Sequence, residues 1–478
     1  MKPNILLITT DQQRFDTIAA LGNDTIYTPH LDYLVDEGIT FTRCYSSAPI
    51  CMPARATIMN GLEGYTVNYT GNSSENYPLS KYPTLPELLT QNGYQTRAQG
   101  KMHFLPMRAN YGFEHMELPS DFFREMHGIN KGTYSAANNF KQHGVGENET
   151  EPVISNANEV DTLTHWTVRR TVDFLETRDD TRPFFVWTSF TKPHPPFDPL
   201  MNYWQLYANR EMPAPVNGDW NEDESKEAYM EPTYGLNHNS SNSEEKLKEI
   251  KKAYYACITQ IDYNLGLLFG RLREMDLFKN TWIIFTADHG DMLGDHHMGA
   301  KTHHLEGSAH IPCIIRAPFG IPWQQSPLFG LKCDKLVQLS DVFATILSIA
   351  DVEIPEKCDG VNLLEYIKND DERIFYGKSV DNFYCVIEGY TKYCWSTYGG
   401  QELLFDLSID PMEQHDLCNT KSELLSRMRS LFAEFLRKHE PELLVNGVPA
   451  ATKEVKKRED AFKWPGFHTT RFDCDVLH

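Results

Sequence analysis

Long apolar runs, closely spaced cysteine pairs and a surplus of basic residues are all missing from this chain of 478 residues. No apolar run approaches the roughly 20 residues that a membrane-spanning helix needs, so a membrane partner is not expected. The opening segment MKPNILLITTDQQR carries one lysine and a short apolar stretch that ends at Asp11. A secretory leader has a longer apolar stretch and a small-residue cleavage site, so the segment reads as a core strand. The ten cysteines (44, 51, 257, 313, 333, 358, 385, 394, 418 and 474) are scattered, and none forms a Cys-x-x-Cys pair. That usage predicts reduced thiols and a cytoplasmic protein. Triplets such as Asn72-Ser73-Ser74 then carry no glycosylation meaning. Basic residues number 45 against 66 acidic ones, a net charge of -21. Nucleic acid wants a basic surface and is excluded as a partner. A small anion is not, because one pocket can be positive on an acidic protein. Internal repeats are absent, and oligomeric state is not readable.

What is there is an ordinary globular composition, 41% hydrophobic and 23% charged, in a chain long enough for one large domain and a smaller one. Apolar strand candidates at 3–9, 94–98, 183–190, 281–287 and 311–316 alternate with helix candidates at 28–37, 54–60, 83–92, 159–177, 244–275 and 339–350. Several strands are apolar throughout, as when helices cover both faces of a sheet. The pattern predicts an α/β fold: a large mixed, mostly parallel sheet sandwiched by helices. From about 372 short strand-like runs crowd together (374–378, 384–389, 391–397, 402–406), with turns at GYTK and YGGQ, and a helix follows at 421–438. The expected division is a catalytic domain over 1–370 and a C-terminal subdomain over 371–478, a small antiparallel sheet with one helix. Two polar stretches, 127–160 and 209–243, read as surface insertions.

Four features carry chemistry. Asp11-Gln12 directly follows the first strand, where ligands bind in an open α/β sheet, although an aspartate there also serves as a turn or cap. Asp288-His289 follows the strand 281–287 in the same way. Two strand-end carboxylates with an amide oxygen and an imidazole suit one hard cation, whereas a lone DHG is a turn. Six histidines crowd 289–310, and most read as surface or outer residues. Cys51 stands in PICMPARATIMNG, with Pro53 suited to a first helical turn. There the N–H groups of 52–54, the helix dipole and Arg55 favour an anion; the alternative is a buried structural cysteine. Finally Lys101 and His103 (GKMHF), His194 (KPHPPF) and Lys301 (GAKTHH) offer positive charge and proton transfer, though lysines are mostly solvated.

Together these segments resemble the type I, formylglycine-dependent sulfatases of the alkaline-phosphatase superfamily, in motif order from residue 3 to about 420. Cys51, Pro53 and Arg55 match Cys-x-Pro-x-Arg; GKMHF matches Gly-Lys-x-His; PHPPF matches Pro-His-x-Pro-Phe; DHGDMLGDH matches Asp-His-Gly-x-x-x-Gly-x-His; and GAKTHHLEGSAHIPCII resembles the lysine segment. The resemblance implies an alkaline-phosphatase-like fold and hydrolysis of sulfate esters. It implies that a formylglycine-generating or anaerobic sulfatase-maturing enzyme oxidises Cys51 to formylglycine, the nucleophile. It implies a divalent metal on Asp11, Gln12, Asp288, His289 and residue 51, with Ca2+ favoured and Mn2+ or Mg2+ open. Arg55, Lys101 and Lys301 would stabilise the sulfuryl oxygens, and His194, with His103 nearby, would protonate the leaving alcohol. Asn72 falls where some relatives place a further polar contact to substrate. The chain departs from the common pattern in carrying Gln12 in place of a second aspartate, and in lacking a histidine near Asn72.

Phosphonate monoester or phosphodiester hydrolases of the same superfamily share these motifs and form the nearest rival reading. A binding protein for sulfated glycans, using aromatics such as Trp395 and Trp464, is the reading from another class; a pure binder has no need of both strand-end metal pairs. Small sulfated carbohydrates are the expected substrates, with a tail bearing His468 and Arg471 closing over them.

Overall fold

The computed structural model describes residues 2–75, 77–127, 148–221, 223 and 243–454. Nine strands make one sheet: β1 (Asn4–Asp11), β2 (Ile39–Tyr45), β3 (Gln95–Gly100), β4 (His115–Glu117), β5 (Phe184–Pro193), β6 (Thr281–Ala287), β7 (His310–Ile311), β8 (Cys313–Arg316) and β9 (Leu331–Gln338). Their order is β4-β3-β5-β1-β6-β8-β2-β7, with β9 also on β2. The run from β4 to β6 is parallel; β8 is antiparallel to both β6 and β2, and β9 is parallel to β2.

β1 and β5 are buried along their whole length, which explains their unbroken apolar runs. Successive side chains of β1 leave on opposite faces. Ile5 and Leu7 pack with Ile58 and Met59, Leu85 and Leu89, and Val342 and Phe343, from helices Cys51–Asn60, Leu85–Gln91 and Ser340–Ile349. Leu6 and Ile8 pack with Leu31 and Leu34, Phe174 and Leu175, and Ile261 and Leu265, from helices Pro29–Glu37, Leu163–Thr177 and Glu244–Glu274. The sheet is therefore the middle of three layers, as the sequence predicts.

The expected strand 311–316 is two short strands divided at Pro312, which has no N–H to give a ladder. The helix expected over 159–177 begins at Leu163, where Thr162 accepts the His165 N–H, after a separate turn at Glu159–Asp161. Strands β2, β4 and β9 and a helix at Pro119–His127 are not predicted by the sequence reading. β9 alternates partly buried and exposed residues over its first half, a two-sided pattern that hides among loops.

The C-terminal strands β10 (Ile374–Ser379), β11 (Phe383–Glu388), β12 (Thr391–Ser396) and β13 (Glu402–Asp406) form an antiparallel meander, with turns where GYTK and YGGQ predict them. One face packs on the helix Ser422–His439 through Tyr384, Tyr393, Trp395, Met428 and Phe432. Trp395 is thus buried beneath Phe432 and unavailable to a sugar, contrary to the binder reading. The other face packs on Tyr45, Met292 and Leu305 of the large sheet and its loops. The 209–243 stretch is not wholly surface: Met212 and Trp220 are buried, and the Trp220 indole donates to the Glu413 carbonyl. Trp464, His468, Arg471 and much of both polar stretches lie outside the described residues.

Candidate active site

Strand register brings the chemistry together. Thr10 pairs with Ala287, so Asp11 and Asp288 leave adjacent parallel strands side by side. Asp11 pairs with Pro193, which sets His194 next to it, and Gly100 pairs with Ser189, which sets Lys101 on the same rim. Gly100 has φ 93°, and a Cβ there would stand 2.1 Å from the Ser189 carbonyl, so the turn into Lys101 requires glycine. This is the carboxyl edge of the parallel strands, where open α/β sheets bind ligands.

Cys51 opens the helix Cys51–Asn60, all of whose residues are buried. Its Sγ lies 3.2 Å from His289 Nε2 and 3.8 Å from Asp11 Oδ1. One donor atom from each of Asp11, Cys51, Asp288 and His289 falls within 4.8 Å of the others, the one such group of acid, histidine and cysteine side chains among the described residues. His289 Nδ1 faces the Gly290 carbonyl at 2.9 Å, which assigns the proton to Nδ1 and turns the Nε2 lone pair into the cluster. Gly290 lets that loop close: a Cβ would meet the Gly307 carbonyl at 2.1 Å.

Arg55 is turned toward these carboxylates. Its Nε donates to Asp288 Oδ2 at 2.9 Å, one terminal nitrogen to Ser189 Oγ at 2.8 Å and the Lys101 carbonyl, and the other reaches Asp11 Oδ2 at 3.4 Å. Lys101 Nζ is ion-paired with Asp11 Oδ2. Burial would raise the Asp11 carboxyl, but Lys101, His194, Arg55 and His289 outweigh it and hold the group well below its usual range. Burial and Asp11 likewise push the Cys51 thiol up, while Lys101, Lys301 and His289 pull it well below the ordinary thiol value. His194 is driven the other way: burial, then Lys301 and Lys101, keep its imidazole neutral. Its Nδ1 faces the Pro195 carbonyl at 2.8 Å. Beneath it the buried Lys192 ammonium binds Asp198 and the Pro196 carbonyl, and so fastens the loop that carries the imidazole.

The helix start differs from expectation. None of the backbone groups at 52–54 offers a proton to an anion: Met52 N–H donates to Asn72 Oδ1 at 3.0 Å, Pro53 has none, and Ala54 N–H closes on the Ile50 carbonyl at 3.0 Å. Ile50, in the capping position, has no side chain for the task, so Asn72 does it from a distant turn. Gln12 sits at φ 71° with its N–H on Asp288 Oδ1 at 3.0 Å and its side-chain oxygen 2.5 Å from Lys301 Nζ. His103, half-buried at φ 59°, follows on the Lys101 loop. The crowded histidines are mostly interior, not surface: His296, His303, His304 and His310 are buried, and His296 and His304 are held down to about 4 by burial. Sequence reasoning passed over Ser189, Asp291 and Tyr254, which brace Arg55 and Gln12; only register and loop closure bring them in. A cleft of about 480 Å3 lined by Phe15, Tyr255, His310 and Lys332 touches none of the predicted residues.

Residues 3–352 match the sulfatase family. The arylsulfatase of Clostridium perfringens is 31% identical over 499 aligned positions that take in 95% of this chain and 99% of that one. The choline-sulfatase of Rhizobium meliloti is 28% identical and covers 87% of this chain and 82% of its own. Among solved structures, the phosphonate monoester hydrolase of Agrobacterium radiobacter superposes with a TM-score of 0.73 at 21% identity, over 95% of this chain and 100% of that one. A protein solved with its substrate D-glucosamine-2-N,6-O-disulfate gives 0.72 at 21% identity, over 92% and 99%. These two likenesses establish the alkaline-phosphatase-like fold. The family match and the nearly end-to-end alignment at 31% identity reach further: this chain belongs to the sulfatase family and is a sulfuric ester hydrolase.

Proposed function

We propose that this sulfatase acts on small sulfated carbohydrates in the cytoplasm, with a divalent cation and with Cys51 matured to formylglycine by a formylglycine-generating or anaerobic sulfatase-maturing enzyme. The observation that carries the reading is the convergence of Asp11, Cys51, Asp288 and His289 donors within 4.8 Å. With Gln12, these residues form an oxygen-rich set with one imidazole, which fits Ca2+ and leaves Mn2+ or Mg2+ open. A bound cation supplies Lewis-acid polarisation of the sulfate and activation of the nucleophilic oxygen. The likeness to a protein whose substrate is a glucosamine disulfate supports the sugar class. The nine described cysteines are free thiols, which supports a reducing compartment. We assign catalysis to residues 1–370 and a supporting role to the subdomain 371–478.

In this scheme Lys101 and Lys301 flank residue 51 and bind the sulfuryl oxygens, with His103 beside them. Arg55 holds the two strand-end carboxylates apart and in place, and Asn72 fixes the start of the helix that carries residue 51. His194 stands ready on the leaving-group side. An incoming sulfate ester sets negative charge against the two lysines that keep its imidazole neutral, so substrate itself favours the protonated acid. The test is a pair of rates on one aryl leaving group, as sulfate ester and as phenylphosphonate, with protein co-expressed with a maturation enzyme. Faster sulfate release, lost in Cys51→Ala, is the expected result; a phosphonate preference, or activity kept in Cys51→Ala, overturns it.

A further inference from the structure

We propose that Asp291 is a positioning residue that fixes which end of the Gln12 amide faces the cation site; the inference rests on the metal reading above. Asp291 lies two residues beyond His289 and is 1% exposed. Its Oδ1 accepts the Leu293 N–H at 2.8 Å, and its Oδ2 accepts from Gln12 Nε2. Both carboxylate oxygens are therefore engaged, and Asp291 stands outside the group of converging donors.

Gln12 is pinned along its backbone as well. Its N–H binds Asp288 Oδ1 and its carbonyl accepts from the Tyr254 hydroxyl at 2.6 Å, while that hydroxyl accepts the Arg14 N–H at 3.0 Å. What remains to be decided is the amide rotation, and the two flanking charges decide it. With Nε2 toward Asp291, the oxygen accepts from Lys301 Nζ, an ammonium that also acts on Cys51, Asp11 and Asp288. The reverse rotation would set the amide oxygen against a carboxylate and the amide protons against an ammonium, two buried mismatches. Asp291 thereby makes Gln12 a dependable neutral oxygen donor. An aspartate at position 12 would need no such partner, since its two oxygens are equivalent. The glutamine and the buried Asp291 thus form one device.

The experiment is calorimetric titration of the full, metal-stripped chain with Ca2+ and with Mn2+, for the wild type, Asp291→Asn, Gln12→Glu and the double variant. Asparagine can face Gln12 by either end, so Asp291→Asn should weaken binding ten- to a hundredfold, the usual effect of removing a group that orients a ligand. Gln12→Glu sets two carboxylates against each other. The double variant removes that conflict and should bind at least tenfold more tightly than Gln12→Glu alone. That comparison stands even where Asp291→Asn by itself does not fold. A wild type that binds neither cation sinks the metal reading and this inference with it. Tight wild-type binding with Asp291→Asn within twofold of it, or a double variant no better than Gln12→Glu, sinks this inference alone.

Discussion

His194 and Glu63 are two buried titratable side chains whose environments push them in opposite directions. His194 is kept neutral by burial and two lysines, and in the proposed scheme it is the acid that protonates the leaving alcohol. Its contribution should grow with the basicity of the leaving alcohol, because a poor leaving group needs the proton most. His194→Ala should cut kcat by about 100-fold or more for a sugar sulfate and by far less for a nitrophenyl sulfate. Equal losses on both esters would show that the imidazole does something other than protonate the leaving group. Glu63, fully buried at the far end of the Cys51–Asn60 helix, is raised from 4.5 to about 7 by burial, against hydrogen bonds from Ser340 and Ser47. A carboxyl raised in the folded state stabilises fully below its unfolded value and loses that effect as pH climbs to the folded value. Between pH 4.5 and 7 the wild type should therefore lose about 3 kcal/mol that Glu63→Gln keeps, a difference read from urea unfolding at a series of pH values. A pH-independent gap between the two proteins would contradict the assignment.

At the scale of elements, the large and small sheets meet across buried charge. Lys392 of β12, fully buried, lies 2.8 Å from Glu306 and 2.8 Å from Glu413, and Glu306 in turn holds His310 at 2.6 Å. His310 is stacked against Phe15 at 3.9 Å and lies over Tyr45 at 4.7 Å. Glu306 follows directly on the Lys301 loop, so this cluster fastens the small sheet to the segment proposed to bind the sulfuryl group. Lys392→Met would leave two facing buried carboxylates without their cation, at a cost of about 3–5 kcal/mol. Unfolding midpoints should fall accordingly, and kcat should fall in the surviving folded protein because the Lys301 loop loses its anchor. Unchanged stability would mean that the pair of glutamates shares a proton and needs no lysine.

That contact also marks the limit of what the residues alone disclose. Asp11 and Asp288 were legible because each stands at the end of an apolar strand, a predictable place for a site in a parallel sheet, whereas Lys101, after the polar strand β3, was legible through its GKMHF segment. The meander and its helix were legible because turn residues punctuate it. Arg55 was legible as a residue but not in its orientation, since Asp288, Ser189 and the Lys101 carbonyl reach it from three separate strands. Asp291 was passed over because nothing local shows that Gln12, 279 positions away, needs it. The histidines of 289–310 read as surface or outer residues because polar character usually means surface; His304 and His310 lie inside, with carbonyl partners and, for His310, ring stacking.

For the whole molecule, the decisive feature is how completely Cys51 is enclosed. The residue is 2% exposed, its helix is buried from end to end, and the chain on either side of it is clasped: Asn72 accepts the Met52 N–H, and the Lys378 N–H and His304 both bind the Ser47 carbonyl. Strand β10 lies more than three hundred positions beyond Cys51, so those clasps form only after most of the chain has been synthesised. Under the proposed maturation this geometry becomes a matter of timing. A separate enzyme that oxidises the thiol must find the segment while it is still extended, and native packing ends its opportunity. The yield of active protein is then set by a race between modification and folding, so that slower folding, as at lower temperature or with a delayed C-terminal sheet, would enlarge the matured fraction even as it delays the finished fold.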